Sequence, residues 1–338
     1  MPRLVTPFPE SLTVMTFNPP THPQFAGAFY KRLSRIACSS LMLLALAAPL
    51  PAVDMLYVTM SNNTIVSYDT SSGNAATIAA SVATFASTNL NSPNGLAFDA
   101  LGNLYAANVG DNTISKFNSA GGYLSNITTN ADAPYGLAFD SSGNLYAASN
   151  TMPTQSISKF NSSGAYISDI TTSLDFPTGL AFDSSGNLYA ANVNGSNISK
   201  FNSSGGFLSS ISGNLNGPFG LAFDSSGNLY AANAGDNTIS KFNSSGGYLS
   251  SISGNLNVPV GLAFDTSGNL YAANSNDKTI SKFNSSGTFL TSWSTGTASP
   301  GFLTVHAVSV PEPSTYALAT IATGVMAYLA RRRKARTA

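Results

Sequence analysis

The chain has 338 residues, of which only 9% are charged, and its formal net charge at pH 7 is zero. This balance hides a partition, because the body between Val53 and Val310 contains thirteen Asp, six Lys, no Glu and no Arg, for a net charge of about −7. A body this acidic and free of Arg is a poor candidate for binding nucleic acid. The one cysteine, Cys38, precedes the body, which excludes disulfides and cysteine-based metal sites from it.

Two segments precede the body. Residues 30–52 contain a basic patch, an apolar run of about fifteen residues and then small residues, which is the pattern of a signal peptide with cleavage after Ala52. Residues 1–29 form an extension of unclear status. The pattern predicts an exported protein.

A unit of about 41 residues repeats through the body. The Gly of the sequence GLAFD recurs with spacings of 41, 43, 41 and 41 residues, at Gly95, Gly136, Gly179, Gly220 and Gly261. Each unit contains four short strand-like runs separated by turn sequences such as Ser-Ser-Gly, and it lacks helical periodicity. This pattern is typical of one antiparallel blade of a β-propeller.

The strand signatures predict the number of blades. The Leu-Tyr pair of the second strand occurs six times, beginning at residues 56, 104, 145, 188, 229 and 270. GLAFD occurs five times, and Ser299–Val305 holds a degenerate sixth copy. The prediction is an all-β fold: a six-bladed β-propeller of four-stranded antiparallel blades spanning residues 53–309.

One blade is predicted to combine both ends of the body. The chain enters on a second strand, Met55–Met60, and leaves on a first strand, Phe302–Val308. The other strands of this blade are predicted at Thr64–Tyr68 and Ala75–Ala80. A ring closed by strands from both termini leaves no exposed sheet edge at the seam.

Two charged positions recur in the five regular blades. The Asp of Asp-Ser-Ser-Gly-Asn, as at Asp224, is interpreted as opening a tight turn. The alternative is a calcium site, but calcium would require several carboxylates and this turn has one. The second position is a Lys of the third strand, as at Lys241. A ring of such cations could grip an acidic polysaccharide, but a local ion pair with Asp is the favoured interpretation.

Units such as residues 218–233 resemble NHL repeats, and the resemblance covers the whole body. It implies a six-bladed propeller. This sequence has Asn where the family often has Asp, at Asn192, Asn233 and Asn274, and Thr where the family often has Arg, at Thr113, Thr238 and Thr279. Both differences remove charge.

Related propellers resembling gluconolactonases and streptogramin lyases use acidic or His residues around a metal at the central channel. Here the body has no Glu and a single His, His306, so such a site cannot be assembled. We therefore predict no catalytic residue, no metal site and no cofactor. His306 and the single Trp293 are interpreted as packing residues.

The blades differ most at the residue between Pro and Gly before each first strand and in the loop after each second strand. These two sets are predicted to lie at the same end of the ring, near the channel mouth. The candidate ligand-binding residues there are Asn94, Tyr135, Thr178, Phe219, Asp111, Asp236 and Asp277.

The C-terminal segment 310–338 contains a Pro-Glu-Pro triplet, an apolar stretch at 314–330 that is predicted to enter a membrane, and a basic run. It resembles the PEP-CTERM sorting signal of exported bacterial proteins. The resemblance implies export across the inner membrane, transient membrane anchoring and processing by an exosortase; a plain C-terminal anchor is the alternative. The residues that carry it are Pro311, Glu312, Pro313, Arg331, Arg332 and Arg333.

These features favour an exported, non-enzymatic propeller that binds or organises extracellular matrix, exopolysaccharide or cell-surface partners. One alternative is a lyase or lactonase-type enzyme whose metal is held by Asp and Asn. Another is an inert structural protein of the cell surface.

Overall fold

The computed structural model describes residues 52–129, 133–152 and 155–308. Outside these residues lie the predicted extension, all of the predicted leader except Ala52, and the predicted sorting signal with its apolar segment 314–330. Among the described residues, no helix is long and apolar enough to cross a bilayer.

The chain begins blade 1 with three strands: β1 (Val53–Met60), β2 (Thr64–Asp69) and β3 (Ala83–Ala86). The prediction of a strand at Ala75–Ala80 is wrong, because these residues form a short helix, α1. Asn74 caps α1, since its side chain accepts hydrogen bonds from the backbone N–H groups of Ala76 and Thr77. The four alanines favour a helix over a strand, and Ile78 anchors it in the core.

Each of the next five blades is a four-stranded antiparallel meander. Blade 2 comprises β4 (Pro93–Phe98), β5 (Leu104–Asn108), β6 (Thr113–Phe117) and β7 (Tyr123–Thr128). Blade 3 comprises β8 (Pro134–Phe139), β9 (Leu145–Ser149), β10 (Ser156–Phe160) and β11 (Tyr166–Ile170). Blade 4 comprises β12 (Pro177–Phe182), β13 (Leu188–Asn192), β14 (Asn197–Phe201) and β15 (Phe207–Ser212). Blade 5 comprises β16 (Pro218–Phe223), β17 (Leu229–Asn233), β18 (Thr238–Phe242) and β19 (Tyr248–Ser253). Blade 6 comprises β20 (Pro259–Phe264), β21 (Leu270–Asn274), β22 (Thr279–Phe283) and β23 (Phe289–Ser294).

The last strand, β24 (Pro300–Val308), closes the ring. It pairs antiparallel with β1, with Val308 opposite Val53 and Pro300 opposite Met60. Blade 1 therefore has the order β24-β1-β2-β3, with a strand from the far end of the body in the innermost position. The predicted six-bladed ring, closed by strands from both ends, is confirmed.

The core consists of layers between consecutive blades. Leu221, Ala231 and Phe242 of blade 5 pack against Tyr189 and Ile198 of blade 4, and equivalent clusters fill the other junctions. Complete burial of a side chain such as Phe242 contributes about 1.5–3 kcal/mol. Because all six clusters and both closing strands lie within residues 52–308, we expect this segment to fold on its own.

The ring has two different ends. The end that carries the loops between second and third strands, together with the connections between blades, is called the loop end. The turn end carries the tight turns between first and second strands and between third and fourth strands. Pro93 of β4 lies opposite Asn108 of β5, and Thr113 of β6 lies opposite Thr128 of β7, so the two variable loop sets share the loop end, as predicted.

Candidate functional site

The innermost strands approach one another closely around the ring axis. A Cβ atom added to Gly95 would lie 2.1 Å from the carbonyl oxygen of Tyr135, and one added to Gly179 would lie 2.2 Å from that of Phe219. In the five regular blades, the Gly of GLAFD is therefore explained by the close approach of the neighbouring innermost strand.

A cavity of about 360 Å³ lies on the axis. Six leucines, one from each blade at the equivalent register, line it: Leu96, Leu137, Leu180, Leu221, Leu262 and Leu303. No titratable side chain is found among the described residues that line this cavity. Apart from Thr304, the lining side chains are apolar, so the polar surface of the cavity comes from backbone groups and the Thr304 hydroxyl.

Three aromatic rings meet across the axis at the loop end. The rings of Tyr135 and Phe219 lie 6.3 Å apart between centroids, and those of Phe219 and Phe302 lie 5.9 Å apart. The three residues come from blades 3, 5 and 1, which are not adjacent, so the rings project over the channel from alternate blades. We call Tyr135, Phe219 and Phe302 the aromatic cluster. Tyr135 and Phe219 remain partly exposed, and Phe302 is buried beside them.

Phe302 is a residue of this site that the sequence analysis missed. It stands where the other blades have the Gly of GLAFD, because 41 residues separate it from Gly261. The repeat spacing alone could therefore have identified Phe302 as the residue at the Gly position. The degenerate copy of GLAFD around it made this replacement hard to recognise.

The other predicted site residues differ in their accessibility. Thr178 is buried, and its hydroxyl donates to the carbonyl oxygen of Phe219 at 3.1 Å. It therefore stabilises the backbone of one member of the aromatic cluster. Asn94 is partly exposed beside the channel, and its carbonyl oxygen accepts a hydrogen bond from the Thr59 hydroxyl at 2.9 Å.

The predicted loop-end carboxylates are exposed. Asp111 and Asp236 each accept a hydrogen bond from the Thr that follows two residues later, at 2.8 and 2.7 Å, and Asp277 accepts one from the side chain of Asn257. With Asp175, the described loop-end residues contain four carboxylates and one lysine, Lys278. The loop end is therefore acidic, which disfavours an acidic polymer there.

The repeated Asp at the turn end has a fully engaged carboxylate. In blade 5, one oxygen of Asp224 accepts from two backbone N–H groups of the turn, and the other accepts from the Asn228 side chain and the Tyr230 hydroxyl. Lys241 forms an ion pair with the same oxygen at 3.3 Å and lies 4.9 Å from the centroid of the Tyr230 ring. Gly227 has a φ of 79°. The turn and local ion-pair interpretations are both confirmed.

The repeated Asn at the end of the second strand forms a neutral network. In blade 2 the Asn108 amide donates to the hydroxyls of Thr113 and Ser115 at 3.0 and 2.8 Å, and its oxygen accepts from the backbone N–H of Asn91. The position ties the second strand to the third strand and to the connection between blades, without charge.

Acid is expected to destabilise the propeller through the turn carboxylates. Burial is the largest influence on the pKa of Asp224 and raises it, but hydrogen bonds from Asn228 and the neighbouring Lys241 outweigh burial, so the pKa lies below its usual value. The same holds for Asp99, Asp140 and Asp183. Because the folded state lowers these pKa values, their stabilisation is present above the unfolded value of about 4 and is lost as the pH falls through the folded values.

Thermal unfolding followed between pH 7 and pH 2 should therefore show a midpoint that falls steeply below about pH 4. Asp224→Asn should lower stability at pH 7 and make the remaining acid-induced loss smaller. An equal acid-induced loss in this variant would contradict the assignment.

Two further residues that the sequence singled out are packed. His306 stacks on Phe98, with ring centroids 4.3 Å apart. Trp293 is 4% exposed and contacts the rings of Tyr68 and Tyr271. Within the described ranges, no three His, Cys, Asp or Glu side chains lie close enough together to hold a metal ion.

Comparison with solved structures shows the propeller fold. The chain is similar to a chain of a nidogen/laminin complex, with 21% identity, a TM-score of 0.66 and coverage of 76% of this chain and 100% of that one. It is similar to a protein of unknown function from Bacteroides caccae, with 17% identity, a TM-score of 0.59 and coverage of 76% and 99%. Virginiamycin B lyase from Staphylococcus aureus has 16% identity and a TM-score of 0.53, with coverage of 66% and 86%. A comparison with curated proteins found no match.

Residues 309–334 match the model of the PEP-CTERM protein-sorting motif. The resemblance inferred from the Pro-Glu-Pro triplet and the basic run is confirmed, and all six residues that carry it lie within the match. The motif implies export and recognition by exosortase-type machinery.

Proposed function

We propose that the protein is an exported, non-enzymatic propeller, displayed at the cell surface, whose loop end binds extracellular polysaccharide. The observation that carries the proposal is the aromatic cluster, where two partly exposed rings stand among loops rich in Asn, Ser and Asp. Aromatic rings offer apolar faces to the C–H groups of a sugar, and the surrounding amides and carboxylates match its hydroxyls. The sorting motif supports a place at the cell envelope.

The charge distribution supports a neutral glycan as the ligand class. The five repeated lysines, which are the cations that an acidic polymer would need, are each paired with an Asp at the turn end. The carboxylates of the loop end would repel uronic acids or phosphates. The described residues that line the axial cavity include no titratable side chain, which supports a binding role over catalysis.

Replacing both Tyr135 and Phe219 by Ala should weaken binding of residues 52–308 to purified envelope polysaccharide of the producing bacterium by about tenfold or more. The matched control is Tyr166→Ala with Tyr248→Ala, which removes two exposed aromatic rings at the turn end and should leave the affinity unchanged. Titration calorimetry with neutral and acidic polysaccharide fractions measures both. Absence of binding by the unsubstituted propeller, or binding restricted to the acidic fraction, would overturn the proposal.

A further inference from the structure

The fourth strands carry an unusual set of exposed apolar residues. Each of the five regular blades begins its fourth strand with an aromatic residue followed by Leu or Ile, and both side chains are 37–50% exposed. We call these ten residues the rim pairs: Tyr123 and Leu124, Tyr166 and Ile167, Phe207 and Leu208, Tyr248 and Leu249, Phe289 and Leu290. Blade 1 presents Val82, 49% exposed, just before its own fourth strand.

The rim pairs all lie at the turn end, because they directly follow the turns between third and fourth strands. Each aromatic ring rests edge-on against the buried Phe that ends the third strand, as Tyr248 does on Phe242 at 6.0 Å. Leu101, which replaces a turn serine in blade 2, adds an 85% exposed side chain at this end. The turn end is thus bordered by a fixed apolar belt around the ring.

The position of the chain ends indicates what this belt contacts. Val53 and Val308 pair at the turn end, and the sorting motif begins at residue 309. The apolar stretch of the motif starts at residue 314, so the connection from Val308 spans at most about 20 Å. Pro300, at the loop end of β24, lies about 26 Å farther away along the strand. The described chain thus ends at the turn end, six residues before the apolar stretch of the sequence, so a membrane that this stretch entered would be closer along the chain to the turn end than to the loop end.

Charge and edge geometry favour a lipid surface over a second copy of the chain. Five of the seven described turn-end carboxylates are paired with lysines. The described loop end has four carboxylates and one lysine, Lys278. Each regular fourth strand also has a β-bulge at its rim pair, which interrupts the edge where another strand would pair. Aromatic residues with apolar neighbours are common where proteins meet the membrane–water interface.

We propose that the turn end docks on the membrane surface through the rim pairs, so that the loop end faces away from the lipid. This inference does not depend on what the loop end binds. It assigns a role to the apolar belt that the propeller fold itself does not require.

Flotation with phosphatidylcholine vesicles tests the proposal on residues 52–308. The unsubstituted propeller should float with the vesicles, and 1 M NaCl should not release it, because the contact is apolar. Replacing Leu124, Leu208, Leu249 and Leu290 by Ser should lower partitioning by about tenfold or more. The control Met152→Ser removes a 70% exposed apolar side chain at the loop end and should have no effect. Trp293 fluorescence verifies that each variant is folded.

The orientation is tested with single cysteines, since residues 52–308 contain none. A polarity-sensitive dye on Ser141→Cys at the turn end should shift its emission when vesicles are added, and the same dye on Asn194→Cys at the loop end should not. Failure of the unsubstituted propeller to float, unchanged flotation of the leucine variant, or a response at Asn194 instead of Ser141 would overturn the proposal. A dimer that sedimentation detects and the leucine substitutions disrupt, without vesicle binding, would also overturn the proposal.

Discussion

Replacing Lys282 by Met should lower the free energy of unfolding by about 3–5 kcal/mol, whereas Lys241→Met should cost no more than about 1 kcal/mol. The two lysines make the same contacts in blades 6 and 5: an ion pair with the turn Asp and a contact with the Tyr ring. Their burial differs. The side chains of Lys282 and Asp265 are 8% and 4% exposed, against 22% and 16% for Lys241 and Asp224.

The seam between blades 6 and 1 causes this difference. Asp54 of β1 accepts hydrogen bonds from the backbone N–H and hydroxyl of Thr266, and the carbonyl oxygen of Thr70 accepts one from Lys282 at 3.5 Å. The chain around β1 and β2 therefore covers Asp265 and Lys282 of blade 6. Removing Lys282 leaves the Asp265 carboxylate buried without its cation, whereas Asp224 retains access to water.

Urea unfolding followed by Trp293 fluorescence measures both variants. Met keeps most of the packing of the lysine stem, so the comparison isolates the charge. The double variant Lys282→Met with Asp265→Asn should regain part of the loss, because it no longer buries an unpaired charge. Equal losses for Lys282→Met and Lys241→Met would show that the seam does not desolvate the pair.

The regular blades could be predicted because their local signals agree. In blade 5, Leu221 and Leu229 supply one apolar face, Tyr230 and Ala232 supply the other, and the turn from Asp224 to Gly227 joins the two strands. Each of these requirements is met within one repeat, so the sequence of a single unit is sufficient to predict the structure of its blade. The same reasoning predicted the common end of the variable loops and the pairing of Asp with Lys.

The irregular parts could not be predicted in the same way. Ala75–Ala80 occupies the place of a strand, but its alanines and the Asn74 cap favour a helix, and the strand follows at Ala83–Ala86. Contact between Tyr135 and Phe219 depends on the width of the channel, which no single repeat encodes. The stronger burial of Lys282 likewise follows from ring closure by distant residues, since blade 6 has the same local sequence as blade 5.

Replacing Gly179 by Ala should destabilise the propeller by about 3 kcal/mol or more. The added Cβ would lie 2.2 Å from the carbonyl oxygen of Phe219, which belongs to the backbone of the neighbouring innermost strand. Neither strand can withdraw, because each is hydrogen-bonded to its second strand and the ring is closed. The strain should therefore spread to the aromatic cluster and weaken ligand binding at the loop end together with stability.

Two glycines provide matched controls for this substitution. Gly186 has a φ of 80° and open space around its Cβ position, so Gly186→Ala should cost about 1–2 kcal/mol through backbone strain alone. Gly73 has open space and no positive φ, so Gly73→Ala should be neutral or stabilise by up to about 1 kcal/mol. Urea unfolding should show the largest loss of stability for Gly179→Ala, a smaller loss for Gly186→Ala and the smallest for Gly73→Ala. A loss at Gly179 no larger than that at Gly186 would mean that the innermost strands can move apart enough to accommodate the added methyl group.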